Sequence, residues 1–212
     1  MLFRSFADVL RIGYQNRPKL FERNIQLPEM LYERVIEIDE RLDANGEILK
    51  APDPEEVKAG LAGVFETGIR SAAIVFMHGY RFPAHESLVA DIARDVGFTQ
   101  VSVSHRVSPL MKMVSRGDTT VVDAYLSPIL KRYVDRVAKD LETGDGKDGG
   151  AGPRLQFMQS NGGLTDARRF QGKDSILSGP AGGVVGMART AAMAGFDKAI
   201  GFDSSDERRV EK

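Results

Sequence analysis

The 212-residue chain has no cysteine, and its 29 basic and 30 acidic residues give a formal net charge of −1. Without cysteine the chain forms neither disulfide bonds nor thiolate metal sites, which fits a reducing compartment. The balance of charge argues against a general nucleic-acid-binding protein, because such proteins carry a basic excess. No apolar run approaches the roughly 20 residues that span a bilayer, and the first residues lack a secretory signal pattern. We therefore expect a soluble cytosolic protein with no nucleic-acid or membrane partner.

Hydrophobic residues make up 42% of the chain, enough for a sizeable core in one large or two small domains. In the N-terminal half, apolar runs alternate with helical patterns, an order typical of an α/β fold with parallel strands and right-handed crossovers. The predicted elements are a short helix at 6–12, strands at 32–39 and 47–49 around an Asn45-Gly46 turn, a helix at 53–66 capped by Asp53, a strand at 71–77, a helix at 83–95 and a strand at 99–104.

The C-terminal half carries a longer helical pattern and more glycine. The predicted elements are a helix at 119–141, a glycine-rich loop at 142–153, a strand at 155–158, a turn at 159–163, a helix at 178–194 and a strand at 198–203. Pro128 falls inside the first of these helices and is expected to kink it. The last residues, 204–212, are polar and show no structural pattern.

Two side chains, those of His78 and Arg116, could face a ligand. His78 ends a predicted buried strand, where α/β sheets bind ligands, although a histidine at such a position also serves as a loop hydrogen-bonding residue. Arg116 lies just before the predicted long helix and could contact an anion. The alternative is that 116–120 only starts the helix, with Asp118 and the threonines as caps.

The start of the helix at 178–194 is rich in glycine. Two consecutive glycines inside a helix cost about 1 kcal/mol each relative to alanine, so a compensating role is expected. Gly179, Gly182, Gly183 and Gly186 would leave a strip without side chains, which permits close approach of another backbone or of a phosphate at the helix N-terminus. Both interpretations, tight helix packing and ligand proximity, stay open.

Several stretches, taken together, resemble the hydantoinase A/5-oxoprolinase family. The most specific is I-L-S-G-P-A-G-G-V-V-G at 176–186. It follows S-R-G-D-T-T-V-V-D-A-Y-L-S-P at 115–128 and F-M-Q-S-N-G-G-L at 157–164 in the family order. F-M-H-G-Y-R-F-P-A-H-E at 76–86 is also similar to the family, as are two N-terminal stretches, 10–18 and 31–41, which are closer to its eukaryotic type.

The resemblance implies a partial actin-like ATPase fold of the α/β class, with a mixed sheet, crossover helices and ATP bound in a cleft between two lobes. In this family ATP and Mg²⁺ activate a five-membered lactam, 5-oxoproline, by phosphorylation of its amide oxygen. Water then opens the ring to give glutamate, ADP and phosphate, a reaction of glutathione metabolism. A lactam is a poor electrophile, and phosphorylation supplies the leaving group that hydrolysis needs.

The resemblance also suggests site residues. The nucleotide-proximal candidates are Gly179, Pro180, Ala181, Gly182, Gly183 and Asp203, and Asp203 is also the candidate ligand for the metal. The candidates for contact with the substrate are Arg116, Asn161 and Gly162.

The chain departs from the family pattern in one place. The family carries two phosphate-gripping loops, one far upstream of Met1 and one after Asp203, where this chain instead reads S-S-D-E-R-R. Asp206 and Glu207 would repel phosphate, so we expect an internal fragment that is inactive alone.

The expected organisation is 1–110 as the end of the family's N-terminal region, 111–203 as the start of its hydantoinase A domain and 204–212 as a divergent tail. Two alternatives stay open. One is a non-catalytic binding module that forms a homo-oligomer or associates with full-length subunits. The other is a fragment of an N-methylhydantoinase or a ketone carboxylase subunit.

Overall fold

The structure, a computed structural model, describes residues 6–13, 21–24, 29–142 and 155–202. The chain divides into two compact units, Met1–Pro128 and Ile129–Lys212. This division falls inside a helix, while the predicted domain boundary at 110 stays a prediction. The tail predicted from 204, and the loop predicted at 142–153 apart from its first residue, lie outside the described residues.

Unit 1 consists of short strands and helices in alternation. In order they are α1 (Val9–Gly13), β1 (Arg41–Leu42), β2 (Ile48–Lys50), α2 (Pro54–Glu66), β3 (Ser71–Ile74), α3 (Ala84–Val96), β4 (Gln100–Val103), α4 (Ser104–Val107) and the first part of α5 (Met113–Glu142). Unit 2 holds the rest of α5, then β5 (Gln156–Met158), β6 (Leu164–Asp166), a 3₁₀ turn (Ala167–Arg169), α6 (Gly172–Ser175) and α7 (Ser178–Met193).

The centre of unit 1 is the parallel pair β3 and β4, in register from Ser71 opposite Gln100 to Ile74 opposite Val103. Helices α2 and α3 cover this pair, which confirms the predicted β-α-β crossover. The buried core between them consists of Val57, Leu61, Ile74, Val89, Ala90, Ala93, Phe98 and Val103. The α/β class is confirmed. The described residues form three two-stranded sheets, whereas the family resemblance implies one larger mixed sheet.

Local sequence signals set the ends of α2 and α3. The Asp53 carboxylate caps α2, because its Oδ1 accepts hydrogen bonds from the backbone N–H groups of Glu55 at 2.9 Å and Glu56 at 3.4 Å. Gly97 ends α3 in the left-handed conformation, with φ of 115°. Both predicted helices are confirmed within one residue at each end.

The hairpin predicted around Asn45-Gly46 is confirmed as β1 and β2, paired antiparallel. Asp43 closes its turn by accepting hydrogen bonds from the backbone N–H groups of Glu47 and Asn45, and these bonds lower the pKa of Asp43. The strand predicted at 32–39 is wrong, because this segment has no regular secondary structure and pairs with no strand among the described residues. Its alternating Ile36 and Ile38 pack on the core instead.

Helix α5 begins at Met113, six residues before the predicted start at 119. The segment 116–120 therefore lies within the helix, and the interpretation of Asp118 and the threonines as caps is wrong. The Thr119 and Thr120 hydroxyls instead donate to carbonyl oxygens one turn back, at 2.8 and 2.7 Å.

Unit 2 is built on the β5–β6 hairpin, which pairs antiparallel across the predicted turn at 159–163. Strand β6 was not predicted, whereas β5 and α7 are confirmed. Phe157 on β5 stacks on Phe170 with ring centroids 5.1 Å apart and meets Tyr133 of α5 edge-on at 6.3 Å. The strand predicted at 198–203 is wrong for 198–202, which form no strand, and Asp203 lies outside the described residues.

No helix among the described residues is both long enough and apolar enough to cross a bilayer.

Candidate functional site

Arg116 is fully buried near the start of α5, with 0% of its surface exposed. Its Nε donates to the Ser104 hydroxyl at 2.9 Å. One terminal nitrogen donates to the carbonyl oxygens of Leu110 and Met111, at 2.5 and 3.0 Å, and the other to those of Phe76 and Met77, at 2.6 and 3.0 Å. All five N–H groups of the guanidinium therefore have protein acceptors. In this arrangement Arg116 joins the loops after β3 and β4, and its contact with substrate stays a prediction.

Glu86, on the first turn of α3, is also charged and fully buried. Its Oε1 accepts from the Phe76 backbone N–H at 2.9 Å and from the Ser104 hydroxyl at 2.5 Å. Its Oε2 accepts from the backbone N–H of His105 at 3.1 Å and meets His105 Nδ1 at 2.7 Å. A Cβ atom on Gly79 would collide with this carboxylate, so glycine is required there by space.

These residues form one polar network at the carboxyl ends of the two parallel strands. Phe76 follows β3, Ser104 and His105 follow β4, and Arg116 comes from α5. In open α/β sheets, ligands bind outside the carboxyl ends of the strands. The network therefore lies at the edge of the sheet where unit 1 is best placed to hold a ligand.

The sequence interpretation missed Glu86, Ser104 and His105. One signal could have found Glu86, because it lies three, four and seven residues before Val89, Ala90 and Ala93 on the buried face of α3. A carboxylate within an apolar helical stripe must be paired, since an unpaired buried charge is strongly unfavourable.

Three titratable groups of unit 1, Arg116, Asp118 and Tyr32, have pKa values that are shifted mainly by burial. Burial lowers the pKa of Arg116, while the nearby negative charge of Glu86 opposes that effect. Burial raises the pKa of Asp118, the next acidic residue along α5. The pKa of Tyr32 is raised by burial and by the carboxylates of Asp8 and Asp118.

The other two histidines differ in their surroundings. His85, on the first turn of α3, places Nδ1 2.6 Å from Oε2 of Glu40, and the two side chains are 7% and 10% exposed. His78 lies in the loop after β3, as predicted, and is half-buried. Its role as a ligand-binding residue stays a prediction.

In unit 2 the structure brings the Asn161-Gly162 turn next to the start of α7. The Ser160 hydroxyl accepts from the backbone N–H of Leu177, the residue before α7, at 3.0 Å and donates to the carbonyl of Asp174 at 2.7 Å. Asn161 Oδ1 accepts from the Gly163 N–H at 2.8 Å. Gly162 adopts φ of +82°, a conformation that favours glycine.

The glycines of α7 have different neighbours. A Cβ on Gly182 would make ordinary contact with Met158 of β5, at 3.7 Å, so the helix packs closely there. At Gly179 and Gly186 the described residues leave open space within 4 Å of such a Cβ. Packing therefore leaves room for an alanine at Gly182 and does not by itself require glycine there. The exposed Gly179 and Pro180 leave the first turn accessible to a phosphate.

Asp203, the candidate metal ligand, lies outside the described residues. Among the residues that are described, no group of three or more histidine, aspartate or glutamate side chains could hold a metal ion. Arg116 belongs to unit 1, and the candidates Asn161, Gly162 and 179–183 belong to unit 2.

Comparison with known proteins covers nearly the whole chain. Residues 1–97 match the family described as hydantoinase/oxoprolinase N-terminal region, and residues 116–204 match hydantoinase/oxoprolinase. The 5-oxoprolinase of Saccharomyces cerevisiae is 40% identical over 232 aligned positions, which cover 94% of this chain and 17% of that protein. The chain thus spans about a sixth of the length of this curated relative.

Two solved structures have a similar fold. The ATP-dependent caprolactamase from Pseudomonas jessenii superposes with a TM-score of 0.76 and 28% identity, covering 92% of this chain and 28% of that chain. A nucleotide-free acetone carboxylase superposes with a TM-score of 0.62 and 20% identity, covering 74% of this chain and 22% of that chain. Both likenesses fit the actin-like fold that the resemblance implied.

Proposed function

Since the chain belongs to the hydantoinase/oxoprolinase family, we propose that it is a segment of an ATP-dependent 5-oxoprolinase. The reaction converts 5-oxo-L-proline, ATP and water into L-glutamate, ADP and phosphate. The observation that carries this proposal is the 40% identity with the yeast 5-oxoprolinase across 94% of the chain. The fold shared with a caprolactamase supports it, because that enzyme is by name also an ATP-dependent lactamase.

Unit 2 contributes the candidate nucleotide-proximal residues. The first turn of α7 carries no acidic residue and is exposed at Gly179 and Pro180, which suits the approach of a phosphate to backbone N–H groups. The neighbouring Asn161-Gly162 turn would contact the substrate or the nucleotide. Mg²⁺, when bound, would neutralise phosphate charge, and Asp203 is the residue proposed to hold it.

Unit 1 contributes the buried Arg116–Glu86 network at the carboxyl ends of β3 and β4. We infer that Arg116 fixes the two loops that border the substrate, because its donors bind four carbonyl oxygens within them. We also propose a setting in the cytosol and a part in glutathione metabolism.

A segment exchange tests the proposal. The matching segment of the yeast 5-oxoprolinase is replaced by this chain, and release of glutamate and phosphate from 5-oxoproline and ATP is measured. We expect the exchanged enzyme to keep ATP-dependent turnover, and the isolated 212-residue chain to show none. ATP hydrolysis by the isolated chain in response to 5-oxoproline would contradict its assignment as an incomplete enzyme.

A second candidate is a segment of an enzyme for another lactam or for a ketone, favoured by the likeness to the caprolactamase and to acetone carboxylase. The same exchanged enzyme, given caprolactam, a hydantoin and acetone with bicarbonate, distinguishes the two. Turnover of one of these in preference to 5-oxoproline would favour the second candidate.

A further inference from the structure

The hydrogen-bond directions in the unit 1 network are fixed from the Arg116 end. A guanidinium only donates, so the Ser104 hydroxyl accepts from Arg116 Nε, at 2.9 Å, and donates its own hydrogen to Glu86. The backbone N–H groups of Phe76 and His105 also donate to Glu86. Glu86 is therefore an acceptor at both oxygens, as an ionised carboxylate is.

This pattern assigns the tautomer of His105. Its Nδ1 lies 2.7 Å from the accepting Oε2 of Glu86, so Nδ1 carries the hydrogen. In the neutral ring the other nitrogen, Nε2, then has a free lone pair and no hydrogen. A carboxylate holding Nδ1–H is the arrangement that orients a histidine for proton transfer at Nε2.

The free nitrogen reaches the surface. Among the described residues His105 makes a ring hydrogen bond through Nδ1 and none through Nε2. Because every buried side-chain nitrogen and oxygen there has a hydrogen-bond partner, Nε2 is not buried. The His105 side chain is 13% exposed, whereas that of Glu86 is 0% exposed. The network thus presents one solvent-accessible acceptor atom at the carboxyl end of β4.

We propose that His105 is the catalytic base that accepts the N–H proton of the lactam during phosphorylation, and that Glu86 is its positioning residue. This inference rests on the proposed function. The lactam oxygen forms a bond to the γ-phosphorus of ATP, and the bond from that phosphorus to the β–γ bridging oxygen breaks. The ring C–N bond becomes C=N as the N–H bond breaks, and the proton passes to Nε2.

The products of this step are ADP and a ring O-phosphate that is a neutral imidate rather than a protonated cation. The imidazolium formed on His105 lies against the ionised Glu86, which stabilises it. Without a base, the lactam nitrogen would keep its proton and the phosphorylated ring would carry an additional positive charge. A base therefore lowers the barrier for a nucleophile as weak as an amide oxygen.

The chain supplies a matched control. His85 has the same Nδ1-to-glutamate contact, at 2.6 Å, but its partner is Glu40, which precedes β1, and this pair shares no hydrogen bond with the Glu86–Ser104–Arg116 network. His85→Gln removes a buried histidine–glutamate contact without touching the proposed base. It therefore reports the effect of lost stability alone.

The kinetic test uses the exchanged enzyme described above. For His105→Gln we expect kcat for 5-oxoproline to fall by about 10²- to 10⁴-fold with a small change in KM. Glu86→Gln should lower kcat similarly, while His85→Gln should lower the melting temperature and leave kcat within about threefold. Added imidazole should restore part of the activity of His105→Ala, which a structural role would not produce. A kcat for His105→Gln within about threefold of the parent would overturn the assignment.

A second measurement uses the chain as it stands and separates this inference from the proposed function. Nitrogen NMR of ¹⁵N-histidine-labelled protein reports the tautomer of His105, and 5-oxoproline is then titrated in. An Nδ1–H tautomer with an Nε2 resonance that shifts saturably, while His85 does not shift, supports the lactam site even if the exchanged enzyme is inactive. A hydrogen on Nε2, or no shift, would overturn it even if the exchanged enzyme is active.

Discussion

Replacing Gly79 by alanine should disrupt the buried network of unit 1. The added Cβ would collide with Oε1 and Cδ of Glu86 and lie 3.1 Å from its Cγ. Glu86 cannot rotate away easily, because its two oxygens accept hydrogen bonds from both strand ends. The substitution therefore displaces either a carboxylate that is 0% exposed or the loop that carries residue 79.

The expected loss of stability follows from the contacts at Oε1. Two hydrogen bonds end on this oxygen, from the Phe76 N–H and the Ser104 hydroxyl. Hydrogen bonds to charged groups contribute about 1.5–3 kcal/mol each, so losing both costs roughly 3–6 kcal/mol. For a chain of this size that corresponds to a fall in Tm of about 6–24 °C.

The assay is urea unfolding followed by far-UV circular dichroism, together with hydrogen exchange of peptides that cover 71–107. Gly63→Ala is the matched control, because Gly63 lies within α2 and a Cβ there has no neighbour within 4 Å among the described residues. The same glycine-to-alanine change should stabilise the protein there, by about 0.5–1 kcal/mol, through helix propensity.

A double-mutant cycle tests the cause. In a Glu86→Ala background the carboxylate is gone, so Gly79→Ala should cost less than about 1 kcal/mol. If the free energy of unfolding of the Gly79→Ala protein lies within about 0.5 kcal/mol of that of the parent protein, the steric argument is refuted. Equal losses with and without Glu86 would point to the loop rather than to the carboxylate.

Three further changes test other contacts. Asp53→Ala removes the cap of α2 and should lower the free energy of unfolding by about 1 kcal/mol, measured by urea titration. Arg116→Lys offers three donors to five acceptors and should cost about 2–4 kcal/mol, with faster hydrogen exchange in the loops after β3 and β4. Asp118→Asn should raise Tm at neutral pH, because burial raises the pKa of Asp118 in the folded state and so disfavours its charged form. This gain should vanish as the pH falls below the ordinary aspartate pKa, where the carboxyl is protonated in both states, and a gain that persisted there would contradict this cause.

Elements set by local chemistry were predictable from the sequence. Helix α2 has a capping aspartate, a proline in its first turn and an apolar stripe, and its bounds agree with the structure. The parallel strands were found because their apolar runs alternate with helices. The end of α3 is likewise a local feature, because Gly97 adopts the left-handed conformation that terminates the helix.

Features set by tertiary contacts were not predictable in the same way. The alternating pattern at 32–39 reflects side chains that pack on the core, and a single sequence cannot distinguish this from sheet pairing. The capping residues at 118–120 predict a helix start there, yet α5 begins at Met113, and Arg116 within it donates to two carbonyls about 40 residues away. The Glu86 network joins three segments that only the fold brings together.

Helix α7 contains no buried residue, and its Val184 and Met193 are 61% and 89% exposed. An isolated helix of this length with four glycines is marginal in water, so its free energy of opening should be far smaller than that of α3. The helical state of α7 therefore depends on what binds to it. By thermodynamic linkage, a partner that binds only the helical form would stabilise the helix, and the gain would grow with the logarithm of the partner's concentration.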